Sequence, residues 1–262
     1  MAGAHGARRD AGRRGVTVAR GLWVWVREDA PPDPAEVAAI AERERVAEAF
    51  VSVPWSGPSA DTHRIVAALR GRGVRVSALG GDPAWTTGGD AVAWMERATA
   101  AFLFEGVHLD IEPWGRRDWS GREAELLRGL ERTVRDVAAR TSLPVDVDLV
   151  PWLAEAHPRQ FADIAQRADA VTLMAYRDRA ADILATSAAA RSALGRLGRS
   201  YRVGVETGPI AEPEPTARQT FADDGRAVLE RELAEVAAAL AADARCTGVA
   251  LHDLAGCRVL GP

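Results

Sequence analysis

The most regular feature of the chain is an alternation between short apolar runs and longer stretches with helical periodicity. Eight apolar runs recur, at residues 21–26, 47–53, 74–79, 106–112, 144–150, 170–176, 202–206 and 248–254. One face of the clearest helical stretch is an apolar stripe formed by Leu126, Leu127, Leu130, Val134 and Val137. A later stretch repeats this spacing with Val228, Leu229, Leu233, Val236 and Leu240. Strands that alternate with helices predict parallel pairing and right-handed crossovers.

Eight strand–helix units in about 250 residues have the size of a (β/α)8 barrel, the TIM-barrel architecture. We therefore predict an α/β protein with one such barrel over residues 21–262, and we keep a doubly wound open sheet as the alternative. Only eight residues follow the last run, so a full eighth helix is expected to be missing. Residues 1–20 are rich in Arg, Gly and Ala and are predicted to form a disordered tail.

The connections between the runs add two expectations about the mouth of the barrel. Residues 113–121 and 208–218 should lie over its C-terminal end, where either segment could act as a lid. Thr220, followed by Asp223, resembles the start of the next helix.

Composition excludes several classes of function. The net charge is −4 and the 33 basic residues, all of them Arg, are interspersed with acidic ones, so we expect no nucleic-acid partner. Without Lys, neither Schiff-base chemistry nor a pyridoxal-phosphate anchor is available, and we predict no cofactor. Cys246 and Cys257 are too few for a disulfide framework. No segment approaches the roughly 20 apolar residues of a membrane span, and we predict a cytoplasmic protein without a membrane partner.

The run at 106–112 is the most informative for function. As a strand it places Val107, Leu109 and Ile111 on one face, and it places His108, Asp110 and Glu112 on the other. Burying unpaired carboxylates is costly, so the polar row should face a cleft or a ligand. Glu112 lies at the carboxyl-terminal end of this run, where the catalytic acids of (β/α)8 barrels are found.

The ends of the other runs carry residues that suit a sugar. Aromatic rings stack on the C–H face of sugar rings, while carboxylates accept hydrogen bonds from sugar hydroxyls. Six tryptophans fall near strand ends, whereas Trp94 and Trp119 are expected to be packing residues. With Glu112, Asp110, Tyr176 and Glu206 as candidate catalytic residues, the candidate substrate-binding residues are Trp25, Trp55, Trp85, His108, Trp114, Asp148, Trp152, Arg177, Asp178 and His252. We predict no metal site, because the spacings of His108, Asp110, Asp148 and His252 match no zinc pattern, although metal-dependent hydrolysis stays an alternative.

Residues 104–113 resemble the fourth-strand signature of glycoside hydrolase family 18, which contains chitinases and endo-β-N-acetylglucosaminidases. That signature reads Asp-Gly-x-Asp-x-Asp-x-Glu; here Gly106, Asp110 and Glu112 are retained, while Glu105 and His108 replace the first and the middle Asp. The run 173–176 resembles the family's sixth-strand Met-x-Tyr, with Arg177 in place of the Asp that normally follows and Asp178 one position later. His252 stands where the family's last strand usually ends in a Trp that forms the floor of the sugar site.

The resemblance implies a glycoside hydrolase acting on a β-linked, 2-acetamido sugar or glycoconjugate. It makes Glu112 the general acid and Asp110 the residue that orients the acetamido group. It also assigns to Tyr176 a hydrogen bond with the acetamido carbonyl. The alternatives are a retaining β-glycosidase with Glu206 as nucleophile, a non-catalytic sugar-binding barrel, and a lyase or isomerase with His108, Asp148 or His252 as base. Arg177 either binds an acidic group of the substrate or forms an ion pair with Asp178 or Asp148.

Overall fold

Eight parallel strands form a closed barrel in the order of the sequence, in a computed structural model that describes residues 19–210 and 218–261. The strands are β1 (Ala19–Val24), β2 (Val46–Ser52), β3 (Arg75–Gly80), β4 (Gly106–Leu109), β5 (Val145–Leu149), β6 (Ala170–Met174), β7 (Ser200–Glu206) and β8 (Cys246–His252). Each strand pairs with its neighbours in sequence, and β1 pairs with β8 to close the ring. The predicted (β/α)8 barrel is confirmed.

Helices surround the strands on the outside of the barrel. The longer ones are α1 (Pro34–Arg43), α2 (Ala60–Arg70), α3 (Asp90–Thr99), α4 (Glu123–Ala138), α6 (Pro158–Ala165), α7 (Ala180–Leu197) and α8 (Arg226–Leu240). Short elements are the 3-10 turns η1 (Pro83–Thr86) and η2 (Pro113–Gly115) and the helices α5 (Leu153–Ala156) and α9 (Leu254–Val259). The six-residue α9 follows β8, in agreement with the prediction that a full eighth helix is missing. None of the described helices combines the length and the apolarity needed to cross a bilayer.

The helices form where the apolar stripes predict them. In α4 all five predicted stripe residues are buried against the barrel. Helix α1 starts with Pro34 behind Asp33, whose side chain accepts a hydrogen bond from the backbone of Glu36. Helix α2 starts with a reciprocal capping box between Ser59 and Thr62.

The lower part of the barrel interior is packed solid. Trp23, Phe50, Leu79 and Ala250 form a buried cluster inside the ring of strands. Below the aromatic rings, Arg202 is held by Asp146 at 2.9 Å and by Glu48 at 2.9 Å. Polar side chains near the carboxyl ends of the strands therefore reach solvent through the C-terminal mouth.

Three sequence expectations need correction or lie partly outside the described residues. The predicted tail of residues 1–20 is too long by two residues, because β1 already begins at Ala19; residues 1–18 lie outside the description. Thr220 does not start a helix: it forms an isolated β-bridge with Glu206, and α8 begins at Arg226. Of the two candidate lids, 113–121 contains η2, whereas 211–217 of the second lies outside the described residues.

Candidate active site

The tip of β4 brings two carboxyl groups to the barrel mouth in an unusual backbone conformation. Alternating burial continues past the regular strand, since Ile111 is fully buried while Asp110 and Glu112 are partly exposed. Glu112 has φ 47° and ψ 58°, the left-handed region that costs a non-glycine residue about 1–2 kcal/mol. Such strain persists where surrounding structure enforces it and is concentrated at functional sites.

The neighbouring strand end fixes Asp110 from below. The Asp110 backbone N–H donates to the Gly80 carbonyl at 3.0 Å. A Cβ atom on Gly81 would lie 1.5 Å from the Asp110 carbonyl oxygen, so only glycine fits there. Asp110 Oδ1 is buried and has no hydrogen-bond partner among the residues the structure describes. The site thus holds an unsatisfied carboxyl oxygen at its centre.

Asp110 and Glu112 interact with each other, and the pKa of each carboxyl is raised. Burial, followed by the charges of Asp148 and Glu112, raises the pKa of Asp110 well above its usual value. Burial and the charge of Asp148 also raise the pKa of Glu112, although hydrogen bonds with Asp110 and Trp114 partly oppose the shift. A carboxyl that keeps its proton towards neutral pH is suited to general-acid catalysis.

Asp148 lies one layer deeper and acts on the pair through its charge. Its Oδ1 atom is 2.8 Å from His108 Nε2, and its Oδ2 atom accepts a hydrogen bond from Trp23 Nε1 at 3.2 Å. His108 is fully buried and stacks on Phe50 with ring centroids 3.8 Å apart. Contrary to the expectation from sequence, His108 is therefore not placed to touch a substrate: its inward-facing position lies one layer below Asp110. Asp148, 1% exposed, is sealed in the same way.

Tyr176 stands at the end of β6 among four carboxylates. Burial and the charges of Asp148, Asp110, Glu206 and Glu112, in that order, raise the pKa of Tyr176 well above its usual value. The phenol therefore stays protonated and is available as a hydrogen-bond donor.

Glu206 and His252 form a pair on the wall opposite β4. Glu206 Oε2 lies 2.7 Å from His252 Nδ1, and Oε1 accepts hydrogen bonds from the backbone of Thr207 at 2.9 Å and of Gly208 at 2.7 Å. Burial lowers the pKa of His252, but the hydrogen bond and charge of Glu206, with smaller contributions from Asp253 and Asp148, outweigh it and raise the pKa above the usual value. Both oxygens of Glu206 are thus occupied.

The predicted tryptophans divide into exposed and buried groups. Trp25, Trp55 and Trp152 are 38%, 50% and 42% exposed near the ends of β1, β2 and β5. Trp85 is 7% exposed and packs on Trp94 at 5.4 Å beneath α3 and α4, so it serves as a core residue and not as part of the mouth.

Two aromatic residues near the mouth, Trp119 and His157, were not among the candidates from the sequence. Trp152 packs edge-on against Trp114 at 6.5 Å, against Trp119 at 6.2 Å and against His157 at 6.3 Å. Trp119 was expected to be a packing residue within a helix: it does pack against the hydrophobic core, but it precedes α4 in the connection after β4. Trp114 was identified because it follows a strand end, and the same signal could have identified Trp119.

Arg177 and Asp178 do not join the carboxylates. Arg177 Nη1 donates to the Tyr176 carbonyl at 2.6 Å, and within residues 19–210 and 218–261 it makes no ion pair, neither with Asp178 nor with Asp148. Asp178 is buried, and burial together with a hydrogen bond to Asp224 raises its pKa despite the opposing charge of Arg179. Asp178 thus belongs to a cluster at the start of α7.

No group of three or more His, Cys, Asp or Glu side chains in the described part of the chain is arranged to hold a metal ion. Cys246 and Cys257 are free thiols. The burial of Cys257 raises its pKa to about 12, so it is unreactive as a nucleophile near neutral pH.

The fold with this site defines the chain as a (β/α)8 barrel with a carboxylate-lined mouth. The sequence matches no protein-family model and no curated protein. Among solved structures, it is similar to the spore cortex-lytic enzyme SleL of Bacillus cereus, with 11% identity over 94% of this chain and 75% of that chain and a TM-score of 0.53. It is also similar to a class V chitinase of Pseudomonas fluorescens, with 11% identity over 93% of this chain and 99% of the other and a TM-score of 0.55.

A barrel with a different assigned chemistry is equally similar. A Toxoplasma gondii protein assigned as a deoxyribose-phosphate aldolase has 14% identity over 94% of both chains and a TM-score of 0.55. At such low identity these likenesses establish the fold alone, and any argument about function depends on the residues of the site.

Proposed function

We propose that this protein is a glycoside hydrolase that cleaves a β-linked 2-acetamido sugar, with Glu112 as its general acid. The observation that carries the proposal is the coupled pair Asp110–Glu112, whose pKa values are raised at the open end of the barrel next to the Tyr176 phenol. The spore cortex-lytic enzyme SleL and the class V chitinase lend support through the shared fold.

The chemistry follows from one proton held between two carboxyls. The pKa of Asp110 is raised more strongly than that of Glu112, so the free protein holds this proton on Asp110. When the acetamido N–H of the substrate donates to Asp110, the proton moves to Glu112, which donates it to the glycosidic oxygen as the bond to the anomeric carbon breaks. The acetamido carbonyl oxygen of the substrate attacks the same carbon, so no protein nucleophile is needed. Asp110, then ionised, accepts a hydrogen bond from the acetamido N–H, and Tyr176 donates to the carbonyl oxygen. Water opens the cyclic intermediate and returns its proton to Glu112.

Glu206 fits less well as the nucleophile of a retaining β-glycosidase. Its Oε1 atom accepts two backbone hydrogen bonds and its Oε2 atom contacts His252. A nucleophilic attack would break this arrangement and leave the raised-pKa imidazole of His252 without its counter-ion.

The test is Glu112→Gln, measured on β-linked oligosaccharides of N-acetylglucosamine, whose sugar leaving group must be protonated as it departs. We expect a loss of about 10²–10⁴-fold in kcat, the usual contribution of a general acid. Glu235→Gln, on the exposed side of α8, is the matched control and should be fully active. Full activity of Glu112→Gln contradicts the proposal. If the wild-type protein is inert while sugars still raise its melting temperature, the barrel is a non-catalytic sugar binder.

A further inference from the structure

Several backbone and side-chain contacts fix Glu206 and His252 relative to each other. Its two members are partners in the β7–β8 register, and beyond it the Thr207 N–H and hydroxyl both donate to the His252 carbonyl, at 2.6 Å and 2.9 Å. A Cβ atom on Gly256 would lie 2.4 Å from Thr207 Oγ1, so the start of α9 packs directly on this junction. The imidazole is therefore fixed in position by backbone as well as by side-chain contacts.

Glu206 decides which nitrogen of His252 faces the mouth. The carboxylate engages Nδ1, which leaves Nε2 as the outer nitrogen. Nε2 has no hydrogen-bond partner among the described residues and is not among the buried unpartnered atoms. Of the His252 side chain, 25% is exposed. A histidine whose inner nitrogen is held by a carboxylate and whose outer nitrogen is open is oriented to act on a ligand.

The barrel places this nitrogen across from the acid. In a closed ring of eight strands, β8 lies opposite β4, so His252 and Glu112 face each other across the mouth. The two side chains are close enough for the charge of His252 to lower the pKa of Glu112. A sugar placed to receive a proton from Glu112 on one side has His252 on the other.

We propose that His252 is a cationic hydrogen-bond donor to an oxygen of the bound sugar, and that Glu206 is its positioning residue. The inference rests on the proposed function and deepens it, because it concerns the substrate of the same site. A tryptophan floor accepts the apolar C–H face of a sugar, whereas an imidazolium requires an acceptor oxygen. The preferred substrate therefore presents a hydroxyl, acyl or carboxylate oxygen towards β8.

The charged and titratable groups around His252 come from five strands. Glu206 on β7 and Asp253 after β8 favour the imidazolium. The remaining groups are Asp148 from β5, Glu112 from the β4 tip and Tyr176 from the β6 tip. Trp23 and Trp25 complete the surroundings with uncharged rings at 5.5 Å and 6.2 Å.

The first experiment needs no substrate. We would follow the imidazole resonances of His252 by NMR through a pH titration of the wild-type protein and of Glu206→Gln. The carboxylate should hold the wild-type midpoint above the ordinary value of about 6.5, and its removal should lower the midpoint. Equal midpoints in the two proteins would overturn the positioning role of Glu206.

The second experiment uses the glycoside that the wild-type protein cleaves best. If both Glu112 and His252 act in their protonated forms, the alkaline limb of kcat/KM falls with the loss of two protons. His252→Gln should reduce kcat/KM by about 10- to 100-fold and change that limb to the loss of one proton. His63→Gln, an exposed histidine on α2, is the matched control. A His252→Gln enzyme with the wild-type rate and pH profile overturns the proposal.

Failure of the proposed function gives a different result from failure of this inference. If no glycoside is cleaved, the hydrolase proposal fails, and N-acetylglucosamine and its β-linked dimer are titrated into the wild-type protein instead. A shift of the His252 Nε2–H resonance, with no shift of the His63 signals, then supports a sugar contact. Binding of either sugar without a shift at His252, or no binding, overturns it.

Discussion

At the scale of single residues, the unsatisfied Oδ1 of Asp110 shows what the site costs the fold. Because one of its oxygens is buried without a partner and negative charges lie close by, Asp110 keeps its proton at pH values at which the unfolded chain has lost it. The folded chain binds more protons than the unfolded chain above the ordinary value of 3.8, up to the raised pKa. The free energy of unfolding therefore falls as the pH rises through this window.

Asp110→Asn should remove that loss, because an amide is neutral at every pH. We expect its melting temperature to exceed that of the wild-type protein, and by more at about pH 8 than at about pH 4. Asp223→Asn, on an exposed turn before α8, is the control and should show no such difference. An Asp110→Asn gain that is the same at both pH values would argue against a proton held on Asp110.

Asp148 offers a second test at this scale, since its charge raises the pKa values of both mouth carboxyls without touching the substrate. Asp148→Asn keeps the shape of the side chain and removes the charge. The pKa of Glu112 should fall, so that the acid loses its proton sooner and the alkaline limb of kcat/KM moves to lower pH. A limb that stays in place or moves to higher pH would mean that Asp148 does not control the acid.

At the scale of elements, the site depends on how closely the tips of β3 and β4 approach. Gly81→Ala would drive a methyl group into the Asp110 carbonyl, which the rigid strand end cannot avoid. We expect a loss of about 1–3 kcal/mol of stability, together with a loss of activity larger than the fraction of unfolded protein explains. Gly89→Ala, where no atom lies within 4 Å of the added Cβ, should be tolerated in thermal unfolding and in activity. Equal behaviour of the two variants would contradict the proposed constraint.

The strands could be predicted from sequence because each is a short apolar run, and α4 and α8 because each carries an apolar stripe. Strand alternation also gave the face of His108, but not its depth: inward-facing residues form layers, and only Asp110 and Glu112 reach the open one. The pairing of Glu206 with His252 depends on the β7–β8 register, which the sequence does not specify. Thr220 was mistaken for a helix start: its hydroxyl accepts a hydrogen bond from the Ala222 N–H but donates to the Gly208 carbonyl on another segment.

At the scale of the whole molecule, closure of the barrel puts exposed aromatic rings on both sides of the carboxylates. Trp25 follows β1 and Trp152 follows β5, and these strands lie opposite each other in a ring of eight. Trp25 lines a cavity of about 690 Å³ between the β1–α1 connection, the start of α1 and α9, which lies within the usual range of ligand pockets. A substrate that uses both rings must extend across the mouth, with sugars on either side of the cleaved bond.

This arrangement predicts that activity depends on the length of the substrate. If the mouth binds a chain, kcat/KM should rise from single-sugar glycosides to tetrasaccharides, and cleavage should occur at internal bonds. Trp25→Ala and Trp152→Ala should each lose about 5- to 10-fold on the tetrasaccharide and little on the single-sugar glycoside, since only the longer chain reaches the rings. Trp55→Ala is the comparison: Trp55 is more exposed than either ring, but the Arg97 guanidinium covers one ring face at 4.0 Å, so a smaller loss on the tetrasaccharide is expected. Equal losses on short and long substrates would place both rings at the reacting sugar itself, and the extended cleft would then have no support.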